Sequence, residues 1–354
     1  MFCRFISACA AVVALVLPIG PKAIAQPSEG PKHGSTVRVI VPAAMGGSFG
    51  LYGQLVARHL GKHLPDQPSV IAQSMPGAGG LAALSYVYNA APKDGSVVIV
   101  PHISVVAATI LNPDVKFEAD KFVYVGRMAS AASVGMVHPR VGIKSVADAR
   151  TKPHTYGATG VSNNTALVPM MFSRMAGAKL RVVPGYPGLS DLFLAAERGE
   201  IDGLAATVVN PEYIEFVKKL KAGQPNELVP IFTTSPTRLP ELPDVPSVSE
   251  FKASEADRRL YGVVTSDGTI GRSLALPPGV PAPIVASFRK AFDAMVRDPE
   301  FVAYVTERHI PFSPMSGEDL GKAIADIVAA APPSVRADLV KTYKSVLASM
   351  RKSN

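Results

Sequence analysis

Residues 37–60, VRVIVPAAMGGSFGLYGQLVARHL, constrain the fold more than any other stretch of the chain. Val37, Val39 and Val41 alternate with Arg38 and Ile40, as in a buried strand, and Pro42 ends its hydrogen-bond ladder. Ala43 to Gly47 are small. Leu51, Leu55, Val56 and Leu60 then recur at helical spacing. A strand therefore runs through a glycine turn into a helix whose first N–H groups have no partner within it. Free amides and the helix dipole both favour an anion there. Gly46 and Gly47 carry no side chain to hold a ligand off the backbone. The turn reads as half of a carboxylate site.

The first 25 residues have the pattern of a secretory signal peptide. Arg4 precedes an apolar run, Phe5 to Leu17, too short for a comfortable membrane span, and Ala23-Ile24-Ala25 supplies a cleavage site. Both cysteines, Cys3 and Cys9, fall inside it, so the mature chain is expected to have neither disulfide nor thiol chemistry. The formal charge is +8, and losing Arg4 and Lys22 with the leader makes it +6. Basic residues are scattered apart from Lys218, Lys219 and Lys221 and the pair Arg258 and Arg259, and there is no Trp. A nucleic-acid surface would concentrate its charge between aromatic platforms. The basicity suits solubility and a mild attraction for anionic ligands.

After a polar leader from Gln26 to Ser35, strand and helix patterns alternate, the signature of an α/β fold. Ser69 to Gln73 is a second strand, running into Met75-Pro76-Gly77-Ala78-Gly79-Gly80 and another helix, and Ser96 to Pro101 a third strand. A second series opens near residue 135. Its strand at His154 to Thr159 ends in Gly160-Val161-Ser162-Asn163-Asn164-Thr165, again before a helix. Further strands are expected at Leu180 to Val183, Ile201 to Thr207, Leu228 to Thr233 and Tyr261 to Val264. The proline-rich Leu239 to Pro246 looks like a crossing between units. The tail from residue 277 reads as helices alone, packed back on the first unit. The expected division is residues 36–134 plus 256–354 as one discontinuous domain and 135–255 as the other. Two crossings permit a hinge.

Taken together, VRVIVPAAMGGS, MPGAGG, AAPKDG, YGATGVSNNTAL, GYPGLSDLFLAAERGEIDGL, LPDVPSVSEF and LPPGVPAPIVASFRKAF resemble, in order, the Bug-type periplasmic receptors of tripartite tricarboxylate transporters. The resemblance spans nearly the whole mature chain. It implies a two-lobed periplasmic-binding (Venus flytrap, type II-like) fold, each lobe a mixed sheet flanked by helices, closing on a small di- or tricarboxylate or aromatic acid. It also implies no catalysis, no cofactor and no metal, a monomer, and a periplasmic location. The partner is a set of integral-membrane transporter subunits or, alternatively, a membrane sensor. Carried over by position, one gripping loop is Ala44, Met45, Gly46, Gly47 and Ser48. The other runs from Thr159 and Gly160 through Ser162, Asn163 and Asn164 to Thr165. Two departures stand out: Gly50 where the family often has Asp, and Thr165 or a neighbour where it often has a His late in the second loop. Losing the acid removes a partner for an amino group and favours plain carboxylates or aromatic acids.

The residues support the same chemistry. Two glycine-rich turns, one per lobe, can offer amides from opposite sides of a cleft. Four charge-assisted bonds at about 1.5–3 kcal/mol each reach the roughly 8 kcal/mol of micromolar binding, with no arginine in the site. Tyr186 would stack on a ligand ring or plug the lobe interface, and Asp202 would line the cleft or be an ordinary surface acid. Gly46-Gly47-Ser48-Phe49-Gly50 also matches the G-x-S-x-G elbow of a secreted serine hydrolase, but no oxyanion loop precedes it and no acid–histidine pair follows in context. A P-loop lacks its Lys, and the dinucleotide spacing is absent. His59 and His63 stand one helical turn apart without a third ligand and are expected on a solvated face.

Overall fold

The computed structural model describes residues 35–160, 164–223 and 228–352. The leader, Ser162 and Asn163 lie outside them. Two sheets form two lobes. The first takes strands β1 (Thr36–Val41), β2 (Ser69–Ser74), β3 (Val97–Ile99) and β4 (Val123–Ala129). The chain then builds the second from β5 (Ser133–Val137), β6 (His154–Ala158), β7 (Leu180–Pro184), β8 (Gly203–Thr207) and β9 (Val229–Thr233). It returns to the first with β10 (Arg272–Leu276) and β11 (Met315–Ser316). The spatial orders are β11-β4-β10-β3-β1-β2 and β7-β6-β8-β5-β9.

Both sheets are mixed. β1 pairs parallel with β2 and β3, and β10 antiparallel with β3 and β4. In the second sheet β6 is parallel to β7 and β8, and β5 antiparallel to β8 and β9. Val37, Val39, Ile40 and Val41 are wholly buried in β1, an interior strand flanked by β3 and β2. In each sheet a glycine makes room for a phenylalanine ring: a Cβ at Gly126 would lie 2.1 Å from Phe292, and one at Gly135 2.0 Å from Phe232. Phe232 in turn stacks on Phe172, with centroids 4.0 Å apart.

Three expectations are corrected. Tyr261 to Val264 is not a strand but the end of a helix, Glu255–Val264. Ser254 caps that helix, Glu255 and Asp257 occupy its first turn, and Leu260, Val263 and Val264 form its buried face. The tail from residue 277 is not all helical, since β11 pairs with β4 at the edge of the first sheet. Leu239 to Pro246 folds back on the second lobe instead of crossing. Pro246 accepts from the Thr233 amide at 2.9 Å, Ser247 bridges Thr233, and the Arg238 guanidinium grips the Glu250 carboxylate at 2.9 and 3.0 Å.

Candidate functional site

The carboxyl ends of β1, β3 and β4 share one edge of the first sheet with the start of β10, since Ala275 sits opposite Ile99 and Arg272 opposite Ala129. The chain leaves for the second lobe from that edge. Ser133, which opens β5, pairs with Thr207 at the end of β8, and Val134 with Thr233 at the end of β9. The register of Tyr156 with Gly203, extended three residues, sets Thr159 beside Ala206. The turns that follow β1, β6, β7 and β8 thus all lie on the edges nearest the crossing between lobes. Ligands in open α/β sheets bind at such carboxyl ends.

Direct contact joins the two sides. Ser48 opens the helix Ser48–His59 and is buried. Its hydroxyl donates to Asn210 Oδ1 at 3.1 Å and accepts from Arg272 Nη2 at 2.6 Å. Asn210 belongs to the second lobe. It stands at the N-cap of the helix Pro211–Lys221, yet its side chain makes no cap bond. The usual partner of such a residue is its own helix; here it reaches across to Ser48.

Arg272 is 2% exposed. Its guanidinium carbon lies 3.9 Å from the Phe49 ring centroid, and Phe49 stacks on His102 at 5.0 Å. Nε is buried without a partner. Burial pulls the guanidinium down to about 10, with Tyr52 and Asp267 opposing, so it stays cationic at neutral pH. Burial, then the Arg272 charge, pushes His102 down to about 4. The Ser104 amide donates to its Nδ1 at 3.3 Å, a bond that only a neutral ring can accept. Asp267 is buried, with neither carboxylate oxygen hydrogen-bonded, and desolvation raises it well above the usual carboxylate range. The turn after β2 closes on this cluster. Gly80 has φ +90, and a Cβ there would lie 2.6 Å from His102 Cδ2.

Around Ser48, Ala44, Gly46 and Gly47 are exposed and Met45 is half-buried. A Cβ on Gly46 would touch nothing within 4 Å, and one on Gly47 only the Ala44 carbonyl at 4.0 Å. Neither glycine is demanded by the protein's own packing. Gly50 is: a Cβ there would lie 1.9 Å from the Met45 carbonyl oxygen. The turn lies down on the space an aspartate at 50 would fill. In the second lobe, Thr165 Oγ1 accepts from the Thr159 amide at 2.9 Å and stands 3.1 Å from its hydroxyl, closing the turn around Gly160. The Asn164 Nδ2 is buried and without a partner. Tyr186 is half-buried at the same edge, its amide donating to the Ala158 carbonyl at 3.2 Å.

Asp202 is not brought to this place. It precedes β8, and its carboxylate accepts from the amide and hydroxyl of Thr155 at 2.8 and 3.0 Å. Thr155 lies four residues upstream of Thr159, roughly 13 Å along a strand. His59 is also corrected: it is not solvated but 1% exposed, edge-on to Phe301. His63 instead meets Asp298 at 3.1 Å, and among the described residues no cluster of three metal-ligating side chains occurs. The sequence reading needed no arginine in the site, whereas the structure sets the buried guanidinium of Arg272 2.6 Å from Ser48 Oγ. The one signal of Arg272 in the sequence is a lone cation opening an apolar run, RSLAL, and Asn210 had no more than an Asn-Pro helix start.

Two mixed sheets joined by crossings, with a polar bridge between facing turns, define a two-lobed periplasmic binding protein. The chain belongs to the tripartite tricarboxylate transporter family of receptors, whose family model matches residues 54–337. That family consists of periplasmic solute-binding receptors rather than enzymes. A UPF0065 protein of Agrobacterium vitis is 28% identical over 272 residues, which are 75% of this chain and 72% of that one. An R. palustris protein solved with adipate superposes with a TM-score of 0.63 at 22% identity, covering 88% of this chain and 97% of that one. MatC from Rhodopseudomonas palustris, solved with malate, gives 0.57 at 20% identity, covering 88% and 99%. Among the described residues no helix is long and apolar enough to cross a membrane.

Proposed function

We propose that this chain is an exported receptor, without catalytic activity, that captures a small organic carboxylate between its lobes and delivers it to integral-membrane transporter subunits. The observation that carries this reading is the bridge Arg272–Ser48–Asn210: a buried cation with a free donor, tied through a helix start to the opposite lobe. A buried charge needs a partner, and an ionised carboxylate is the natural one for a guanidinium. Adipate and malate in two proteins of the same fold point to the same ligand class.

In this reading residues 1–25 are removed on export. Residues 36–134 with 256–354 form one domain and 135–255 the other, hinged where β4 passes to β5 and where the chain returns ahead of β10. Ala44 to Ser48 grip from the first lobe; Thr159, Gly160, Ser162, Asn163, Asn164 and Thr165 grip from the second, with Tyr186 beside them. The receptor acts as a monomer. Ser48 is no nucleophile, because its hydroxyl accepts from a guanidinium, which cannot serve as a general base.

A melting-temperature screen of the mature protein against mono-, di- and tricarboxylates tests this. A true ligand at a hundred times its Kd adds about 2.7 kcal/mol of stability. A panel in which no carboxylate raises the melting temperature would remove the proposal.

A further inference from the structure

Asn210 holds a spare donor that contact with the first lobe aims. Ser48 has one hydroxyl proton. Arg272 can only donate to the Ser48 oxygen, so the proton goes to Asn210 Oδ1 at 3.1 Å. That bond decides which way the amide faces: its carbonyl meets Ser48 and its NH2 group turns away. The polarity runs one way, from guanidinium through hydroxyl to amide carbonyl, and such a chain strengthens each of its members. Nδ2 makes no hydrogen bond among the described residues, and unlike the Arg272 Nε it is not sealed off from solvent. The backbone beneath it is fixed from the second lobe. The Val208 amide donates to the Ala132 carbonyl at 2.9 Å, in the crossing between lobes. Val209 is buried, and the Asn210 amide donates to the Thr207 carbonyl at 3.0 Å. Only the side chain is left out of local structure, since it gives up the cap bond that an asparagine at this position usually makes.

Resting on the receptor reading above, we propose that Asn210 is a ligand contact contributed by the second lobe, its Nδ2 donating to a carboxylate oxygen held at the Ser48 turn. The contact belongs to the closed receptor. Ser48 and Asn210 sit on different lobes, so opening breaks their bond and leaves the amide free to rotate. Closure brings the carbonyl to Ser48 and thereby turns the donor towards the ligand. Affinity for the carboxylate and the closed state are coupled through this one side chain, because the ligand gains the contact in that state alone.

Two substitutions separate a ligand contact from a mere latch between lobes. The probes are benzoate, adipate, malate and citrate, titrated by calorimetry into the mature protein at pH 7, and the tightest binder is carried forward. Asn210→Ala removes latch and donor together and should weaken that probe by about tenfold or more. Its ligand-free melting temperature should stay within a few degrees of the parent, because no cap bond is lost. Asn210→Asp keeps an acceptor for the Ser48 proton but puts an anionic oxygen where the NH2 group was. It should bind at least about fivefold more weakly than Asn210→Ala, since that oxygen repels the carboxylate. A latch alone predicts the reverse order, with Asn210→Asp the tighter of the two. Asn210→Ala at native affinity, or Asn210→Asp binding as tightly as Asn210→Ala or more so, overturns the proposal and leaves the carboxylate receptor standing. If Asn210→Ala melts early, Asn210→Asp decides alone, because aspartate caps a helix as well as asparagine does. A loss of about tenfold or more then supports the contact, and a smaller one overturns it. If none of the probes binds the native protein, the receptor reading and this inference fall together.

Discussion

Arg272 and Ser48 are 224 residues apart in the chain and 2.6 Å apart in space. The contact joins the first turn of the chain to the strand that returns from the second lobe, and through Asn210 it reaches that lobe as well. Ser48→Ala would strand a buried guanidinium nitrogen and the Asn210 carbonyl together. A hydrogen bond to a charged partner is worth about 1.5–3 kcal/mol, so urea denaturation should report a loss of that size. Calorimetry should show weaker carboxylate binding in the same variant. Stability unchanged within about 0.5 kcal/mol would mean the bridge is made to water in solution.

Gly46 and Gly47 make the opposite case. Nothing in the protein crowds a side chain at either position, and neither has a positive φ. Gly46→Val and Gly47→Val should leave the melting temperature within a few degrees of the parent, because an exposed turn accommodates them. Carboxylate binding should still fall by about tenfold or more if the backbone amides meet the ligand. Affinity retained in both variants would make the turn merely structural.

What the sequence disclosed was local. The β1 turn could be read because a strand, two glycines and a helix lie within residues 37–60, and short-range patterning encodes each. Arg272 could not. β10 is five residues long, and its pairing with β3 and β4 depends on strands more than 140 residues away. Tyr261 to Val264 misled because the β-rich run is the buried end of a helix whose start, Ser254, is a cap rather than a turn. Asp202 looked promising beside the second lobe's turns. The parallel register of β6 and β8 places it at the far end of the sheet, a matter of strand direction that spacing cannot convey.

Gly50 carries a steric prediction. The Met45 carbonyl occupies the place of its missing Cβ, at 1.9 Å. Gly50→Ala therefore forces the Met45 peptide outward, at a cost of about 1–3 kcal/mol, and disturbs Ala44 to Gly47 with it. Unfolding should shift to lower urea and carboxylate affinity should drop, whereas Gly46→Ala, with open space around it, should do neither. A Gly50→Ala protein as stable as its parent would show that the turn does not rest on the helix.

His102 gives the site a titration of definite sign. Its folded value is about 4 against the ordinary 6.5, so between those values the unfolded chain binds the extra proton. Stability from this ring is complete above pH 6.5 and is lost as pH falls towards 4, at about 1.4 kcal/mol per pH unit at most. His59 and His154 are lowered too and act in the same direction, while the raised Asp267 acts against them above the usual carboxylate range. The native slope is therefore a sum, and the variant difference isolates one group. His102→Phe keeps a ring against Phe49 and cannot titrate. The stability it loses between pH 7 and pH 5 should be smaller than the native loss by up to about 2 kcal/mol, read from urea curves at the two pH values. Identical losses would mean that His102 protonates freely in the folded protein, and that burial, with the Arg272 charge behind it, does not hold it neutral.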